Sequence, residues 1–307
     1  MILNIQNETA QLKTVVLGQP YSLGKIPTLD ETYDAKSYET VKKGGEYPTE
    51  EAIANEMTAF ENVFLKYGVE VRRPLILPNC NQVYARDVAF VIDDKIITSN
   101  IIPDRADEQE AYAPIYSDIA FNKIYNLPEK AHVEGGGDVV LYNDIIFIGT
   151  YMERDYPEYK TARTNAYAIA FLKELFPDKN FIALELKKND TDPYKGILHL
   201  DCTFMPVGNG KAIIYRDGFR NIKDYHQLVD IFGKENMFEI TREEMYYMNT
   251  NVFSISPSVV VSEERFLRLN NYMRDSWGGL TVEAIPYYEI SKMGGLLRCS
   301  TLPLVRE

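Results

Sequence analysis

Near the end of the chain, Cys299 stands in Gly294-Gly295-Leu296-Leu297-Arg298-Cys299-Ser300-Thr301-Leu302-Pro303, where a glycine pair leads into an apolar stretch that reads as a short strand. A cysteine in such surroundings is ordinarily a small core hydrophobe. Two further segments favour chemistry instead: Val133-Glu134-Gly135-Gly136-Gly137-Asp138 and Leu198-His199-Leu200-Asp201. Together they offer a nucleophile, a general base and a carboxylate to orient that base, the logic of covalent catalysis.

His199 and Asp201 lie two apart in an expected strand over 197–205, so both side chains would share one face while Leu198 and Leu200 take the other. Glu134 precedes three glycines and Asp138 follows them, and glycine lets a backbone pass close to a ligand. Asp87, in Tyr84-Ala85-Arg86-Asp87-Val88, opens a hairpin at the same point of its repeat as Glu134 does in the next. Taken singly, each motif is more often a polar pair on a sheet face or a solvated loop acid. Their matching positions carry the argument.

The elements that would position these groups recur. Hairpins are expected over 88–99 with a turn at Asp93-Asp94, 139–149 with a turn at Asn143-Asp144, 198–215 with a turn near Gly208-Asn209-Gly210, and 252–261 with a turn at Ser256-Pro257-Ser258. Residues 296–304 supply one arm of a last hairpin whose partner is the N-terminal strand 13–17. Amphipathic helices over 50–67, 162–175, 222–232 and 263–277 are each followed by a short strand, over 69–72, 181–186, 237–240 and 281–285. The repeat of roughly 50 residues is that of a propeller or array. Five strand–hairpin–helix–strand units, closed first against last, give a single α/β ring over 1–307 with no exposed sheet edges between units. Residues 19–48, rich in Gly, Pro, Tyr and charge, form a long loop that reads as a lid or as a variable surface insertion.

Composition narrows the partners. The chain has 307 residues, 45% hydrophobic and 25% charged, with a formal net charge of −12. An acidic balance disfavours nucleic acid and anionic membranes, whereas a small cation would be drawn to an acidic pocket. No run of about 18 apolar residues and no basic-then-apolar leader is seen, so a cytoplasmic protein is expected. Cys80, Cys202 and Cys299 are too few and scattered for a disulfide framework or paired zinc ligands.

The segments Ala85-Arg86-Asp87, Glu134-Gly135-Gly136-Gly137-Asp138, Ala162-Arg163-Thr164-Asn165, His199-Leu200-Asp201 and Gly294 to Pro303 resemble, in this order, the guanidino-group-modifying (pentein) superfamily of arginine deiminases, dimethylarginine dimethylaminohydrolases and arginine:glycine amidinotransferases. The resemblance implies a five-bladed α/β propeller of ββαβ-type repeats about a pseudo-fivefold axis. It further implies Cys299 as nucleophile, His199 as acid and then base, and Glu134 as the group orienting His199. Asp87 and Asp201 would grip the guanidinium, and Arg163 would hold the substrate's α-carboxylate. Neither metal nor cofactor is implied, and the chain would act alone or as a homodimer. Glu134 and Ala-Arg-Thr-Asn are similar to the hydrolases, while Arg298 to Leu304 is also similar to amidinotransferases. Hydrolysis of arginine or a substituted arginine is the main reading, amidino transfer to an amine the alternative, and a non-catalytic guanidino-binding protein the second alternative.

Overall fold

A computed structural model describes residues 1–44 and 47–307. The first blade begins with β1 (Leu12–Leu17), passes through α1 (Ala35–Lys42) and α2 (Glu50–Lys66), and adds β2 (Glu70–Arg72) parallel to β1. The second holds the hairpin β3 (Ala89–Ile92) and β4 (Lys95–Thr98), then α3 (Ala113–Ser117) and β5 (Ile124–Asn126). The third holds β6 (Val139–Tyr142), β7 (Ile145–Thr150), α4 (Ala166–Leu175) and β8 (Asn180–Glu185). The fourth has β9 (Phe204–Val207), β10 (Lys211–Ile214), α5 (Ile222–Phe232) and β11 (Met237–Glu239). After α6 (Arg242–Tyr246) the fifth has β12 (Phe253–Ser256), β13 (Val259–Glu263), α7 (Leu267–Asp275) and β14 (Thr281–Ile285). The short helix α8 (Tyr288–Ser291) then leads to β15 (Thr301–Arg306), which returns antiparallel to β1 in the register Leu17↔Thr301 and Leu12↔Arg306. The result is a five-bladed α/β propeller of three-stranded sheets, each an antiparallel pair with a third strand added parallel.

Local chemistry explains these elements. The hairpin strands Ala89–Ile92 and Phe204–Val207 are apolar and buried throughout because both sheet faces are covered. The turns Asp93 and Asn143 have positive φ, 51° and 58°, a conformation that Asp and Asn tolerate better than branched residues. Thr49 caps α2 by accepting from the Ala52 amide at 3.2 Å, and the helix buries Ile53, Met57, Phe60 and Phe64 at helical spacing. Phe60 in turn meets the Tyr287 ring edge-on, with centroids 5.5 Å apart.

Several boundaries differ from the sequence expectation. The strand expected over 197–205 begins only at Phe204, because Leu200–Cys202 form a single 3-10 turn. His199 and Asp201 therefore meet through that turn and not through strand alternation. Residues 296–300 likewise precede the final strand, so Cys299 sits in a turn two residues ahead of β15. The helix expected over 162–175 starts after the cap Asn165, whose side chain accepts from the Ala168 amide, and Arg163 lies in the loop before it. The helix expected over 263–277 is confined to 267–275, since Glu263 ends a strand. The second blade inserts a long 3-10 segment, Pro103–Tyr112, that the repeat pattern had not indicated.

The segment 19–48 contains a 3-10 turn (Leu29–Glu31) and α1, with Gly45 and Glu46 outside the described residues. It lies over the ring: Arg163 Nη2 donates to the Tyr33 carbonyl at 2.7 Å, and Thr40 Oγ1 to the Lys292 carbonyl at 3.0 Å. This is the placement of a roof, not of a peripheral insertion.

Candidate active site

Each blade is entered through a tight turn, and these turns converge. Asp87, Asn251 and Cys299 each stand two residues before the first strand of a blade, β3, β12 and β15. In the third blade the same position is Gly137, and in the fourth the turn carries Asp201. Glycine at 137 has a physical cause: a Cβ there would lie 2.6 Å from Nδ1 of His199 and 2.8 Å from its Cγ. Gly135 has φ +58°, and a Cβ on it would run into the Arg86–Asp87 backbone. The triple glycine thus lets the third blade's turn press against both Asp87 and His199.

A small internal pocket is lined by Cys299, His199, Asp87, Arg105, Arg163, Tyr33 and Asp34, with Tyr84, Leu198, Met293, Gly294 and Gly295 completing it. Asn251 fixes the cysteine. Its Oδ1 accepts the amides of Arg298 and Cys299 at 2.9 and 3.2 Å, and its Nδ2 donates to Sγ at 3.2 Å. Burial, followed by the Asp201 and Asp87 charges, pushes the Cys299 thiol well above its ordinary value. Burial lowers His199, so its imidazole is neutral at neutral pH. Its Nδ1 lies 3.8 Å from Asp87 Oδ1 and its Nε2 3.6 Å from Glu134 Oε2, and neither ring nitrogen has a hydrogen-bond partner among the described residues.

The carboxylates are held by buried arginines. Arg105 Nη1 donates to Asp87 Oδ2 at 2.5 Å and approaches Glu134 Oε1 at 3.3 Å, while its Nε and Nη2 grip Glu108 at 2.6 and 2.8 Å. Arg163 pairs through Nη1 with Glu134 Oε2. Burial and then the neighbouring Arg105 lower the Arg163 guanidinium to about 10. Asp201 Oδ2 accepts from Arg298 at 2.9 Å and lies 3.9 Å from Sγ, and burial raises its carboxyl. Arg298, fully buried, also donates to the Gly136 and Val139 carbonyls and to Glu8. Asp138 takes a separate part: it accepts the Leu200 amide at 3.0 Å and the Thr164 hydroxyl at 2.7 Å, tying the His199 turn to the Arg163 loop.

All six residues singled out in the sequence, Cys299, His199, Glu134, Asp87, Asp201 and Arg163, meet in and around this pocket. Four differ in present partners from the role the resemblance implies: Arg163 spends one guanidinium nitrogen on Glu134, Asp201 is paired with Arg298, Asp87 with Arg105, and Glu134 makes no hydrogen bond to His199. Sequence reading missed Arg105, Asn251, Arg298 and Asp34. Asn251 was detectable, because aligning the repeats on their first strands puts it level with Asp87 and Cys299. Arg105 was not, since it rides on the 3-10 insertion.

Residues 221–306 match the family model for arginine deiminase. The chain is 28% identical over 227 residues to the uncharacterized protein YkgA of Bacillus subtilis, covering 73% of this chain and 70% of that one. It is 26% identical over 213 residues to the arginine deiminase of Pediococcus pentosaceus, a match that covers 58% of this chain and 48% of that enzyme. Among solved structures it resembles SxtG, an amidinotransferase from Microseira wollei (TM-score 0.76, 18% identity, 99% of this chain and 97% of that one). It also resembles the N-terminal domain of ArgZ, a cyanobacterial arginine dihydrolase (TM-score 0.77, 15% identity, 96% and 98%). These matches support membership of the guanidino-group-modifying, or pentein, superfamily.

Proposed function

We propose that this chain, as a single catalytic domain over 1–307, hydrolyses a guanidino C–N bond of arginine or a substituted arginine through a covalent intermediate on Cys299. The observation that carries this reading is the convergence of a buried thiol, a neutral imidazole and the carboxylates of Asp87, Glu134 and Asp201 on one pocket. A planar guanidinium offers a fork of N–H donors suited to two flanking carboxylates, here Asp87 and Asp201.

Without ligand, those charges disfavour the thiolate. A bound guanidinium offsets them, and His199 then takes the Cys299 proton. The thiolate attacks the guanidinium carbon, forming C–S; His199 returns the proton to the departing nitrogen as C–N breaks, leaving a thiouronium and releasing ammonia or an amine. Water adds to the same carbon, passing one proton to His199; C–S breaks to free the ureido product and regenerate the thiolate, the second water proton leaves on the released ammonia or amine, and His199 returns its own to Cys299. Glu134, 3.6 Å from Nε2, stabilises the imidazolium in both half-reactions. In this reading Arg163 exchanges its contact with Glu134 for a substrate carboxylate at the pocket wall. Cys80, Cys202 and Cys299 are all unpaired, in keeping with a reducing cytoplasm.

The test is a panel of guanidino compounds, with and without glycine or ornithine, read for ammonia, methylamines, ureido product and new guanidino products. Ureido product without an amine acceptor supports hydrolysis. A new guanidino product formed only with the amine assigns amidino transfer. Ligand binding without any product, and without an adduct on Cys299 by intact mass, leaves a binding protein.

A further inference from the structure

Apart from the reaction pocket, a cavity of about 300 Å³ lies where the end of α6, the start of α7 and the segment after α8 meet. None of its lining residues lines the reaction pocket. The two are neighbours all the same: Ser291 and Leu296 line this cavity, while Met293, Gly294 and Gly295 between them line the other.

Two residues that line it leave a buried oxygen unmatched. Glu263, 2% exposed at the end of β13, accepts the Arg265 amide on Oε2 at 2.7 Å, whereas its Oε1 has no hydrogen-bond partner among the described residues. Asn249, 3% exposed, leaves its Oδ1 in the same condition. Such oxygens are costly to bury until N–H donors reach them. Burial raises the Glu263 carboxyl to about 6, against the lowering effect of the Arg265 amide and guanidinium, so it is an anion at neutral pH.

A cation stands close to that anion without satisfying it. Arg265 Nε is 3.9 Å from Glu263 Oε1, beyond hydrogen-bond reach, and its guanidinium lies over the Tyr288 ring, 3.8 Å from the centroid. Arg268, also at the cavity, is taken up by Glu244 at 2.7 Å and by the Glu239 carbonyl at 3.0 Å. The remaining wall includes Phe266, Leu296 and the Tyr247 ring.

We propose that this cavity is a second ligand site, which binds a free α-amino acid with an apolar side chain. Glu263 Oε1 and Asn249 Oδ1 receive the ammonium, whose three N–H donors exceed the two acceptors, and the forked guanidinium of Arg265 receives the carboxylate. Phe266, Tyr247 and Leu296 cover the side chain. Opposite charges this close on the protein suit opposite charges equally close on the ligand, which an α-amino acid has and an amino acid with a distant amine lacks. The site uses none of the groups assigned to the reaction, so it stands or falls independently of the guanidino reading.

Calorimetry on the full chain tests this with L-leucine, with 3-methylbutylamine, which lacks the carboxylate, and with 4-methylpentanoate, which lacks the ammonium. Glu263→Gln keeps an oxygen for the Arg265 amide and removes the charge. It is expected to weaken L-leucine and 3-methylbutylamine by about tenfold or more, as for loss of a charge-assisted hydrogen bond, and not to weaken 4-methylpentanoate. Arg265→Gln, at a largely exposed side chain that the fold can spare, should weaken L-leucine and 4-methylpentanoate by about threefold or more and leave the amine unchanged. L-leucine that fails to bind, or that binds with an affinity neither variant changes, overturns the proposal. So does an equal loss of all three ligands in either variant, which would make the residue's part structural.

Discussion

The most telling single residue is Cys299, whose thiol is pushed well above its ordinary value by burial and by the Asp201 and Asp87 charges while the pocket is empty. Its proton is bound at neutral pH, so alkylation of the free protein should be slow there and climb only above pH 9, the ordinary thiol value. A thiol that alkylates fully near pH 7 would contradict the buried, acid-flanked site. Cys299→Ser should abolish single-turnover product formation while the fold is kept, because a hydroxyl is a far weaker nucleophile at neutral pH. His199→Ala should lower the rate by about 10²–10⁴-fold, and Glu134→Gln by less. Asp138 sets the contrast. Its oxygens are spent on Leu200 and Thr164, so Asp138→Asn should lower the unfolding midpoint as well as activity. If Asp138→Asn hits the rate alone and Glu134→Gln is harmless, the acids of this segment have been assigned the wrong way round.

At the scale of elements, the turns before the blades do the positioning, and the glycine run is their tightest point. A methyl at Gly137 must displace the His199 ring, whose Nδ1 would be 2.6 Å away. Gly137→Ala is expected to reduce the rate by about 10²-fold, the usual consequence of moving a catalytic group by about 1 Å. Ligand binding should change little, and the kcat and KM effects separate the two. Asn165 illustrates a purely structural joint: it caps α4 and also bonds the His132 amide and the Lys130 carbonyl. Asn165→Ala should cost about 1–2 kcal/mol in denaturant unfolding.

For the molecule as a whole, the ring is closed by β1 on β15, and the ion pair of Glu8 with Arg298 joins the N-terminal segment to the catalytic turn across 290 residues of chain. Burial opposes the Glu8 charge, but Arg298 prevails and its carboxyl is held below the usual 4.5. A depressed carboxyl stabilises the fold above its unfolded value, and that stabilisation disappears as pH falls through the folded value. The difference in unfolding midpoint between wild type and Glu8→Gln should therefore be full above pH 4.5 and shrink below it. Removing one partner of a buried pair costs about 3–5 kcal/mol, so the neutral-pH effect should be large. A pH-independent difference would mean that Glu8 acts by packing alone.

The sequence alone determined what depends on local pattern. Alternating apolar runs with Asp-Asp, Asn-Asp and Gly-Asn-Gly turns placed the hairpins, because a tight turn and its flanking strands are encoded within a dozen residues. The repeat then indicated the ring, and the ring made Asp87, Glu134, His199 and Cys299 neighbours. What tertiary structure decided was how each group is spent. His199 and Asp201 are brought together by a 3-10 turn that no periodicity announces. Arg105 arrives on an insertion, Asn251 holds the thiol, and Arg298 claims Asp201. Asp34 reaches the pocket only because the residue that caps α1 folds against Gly294, about 260 positions away in the chain. Charge pairing and burial are set by contacts between residues tens to hundreds of positions apart, and a single chain read in order carries no distance between them.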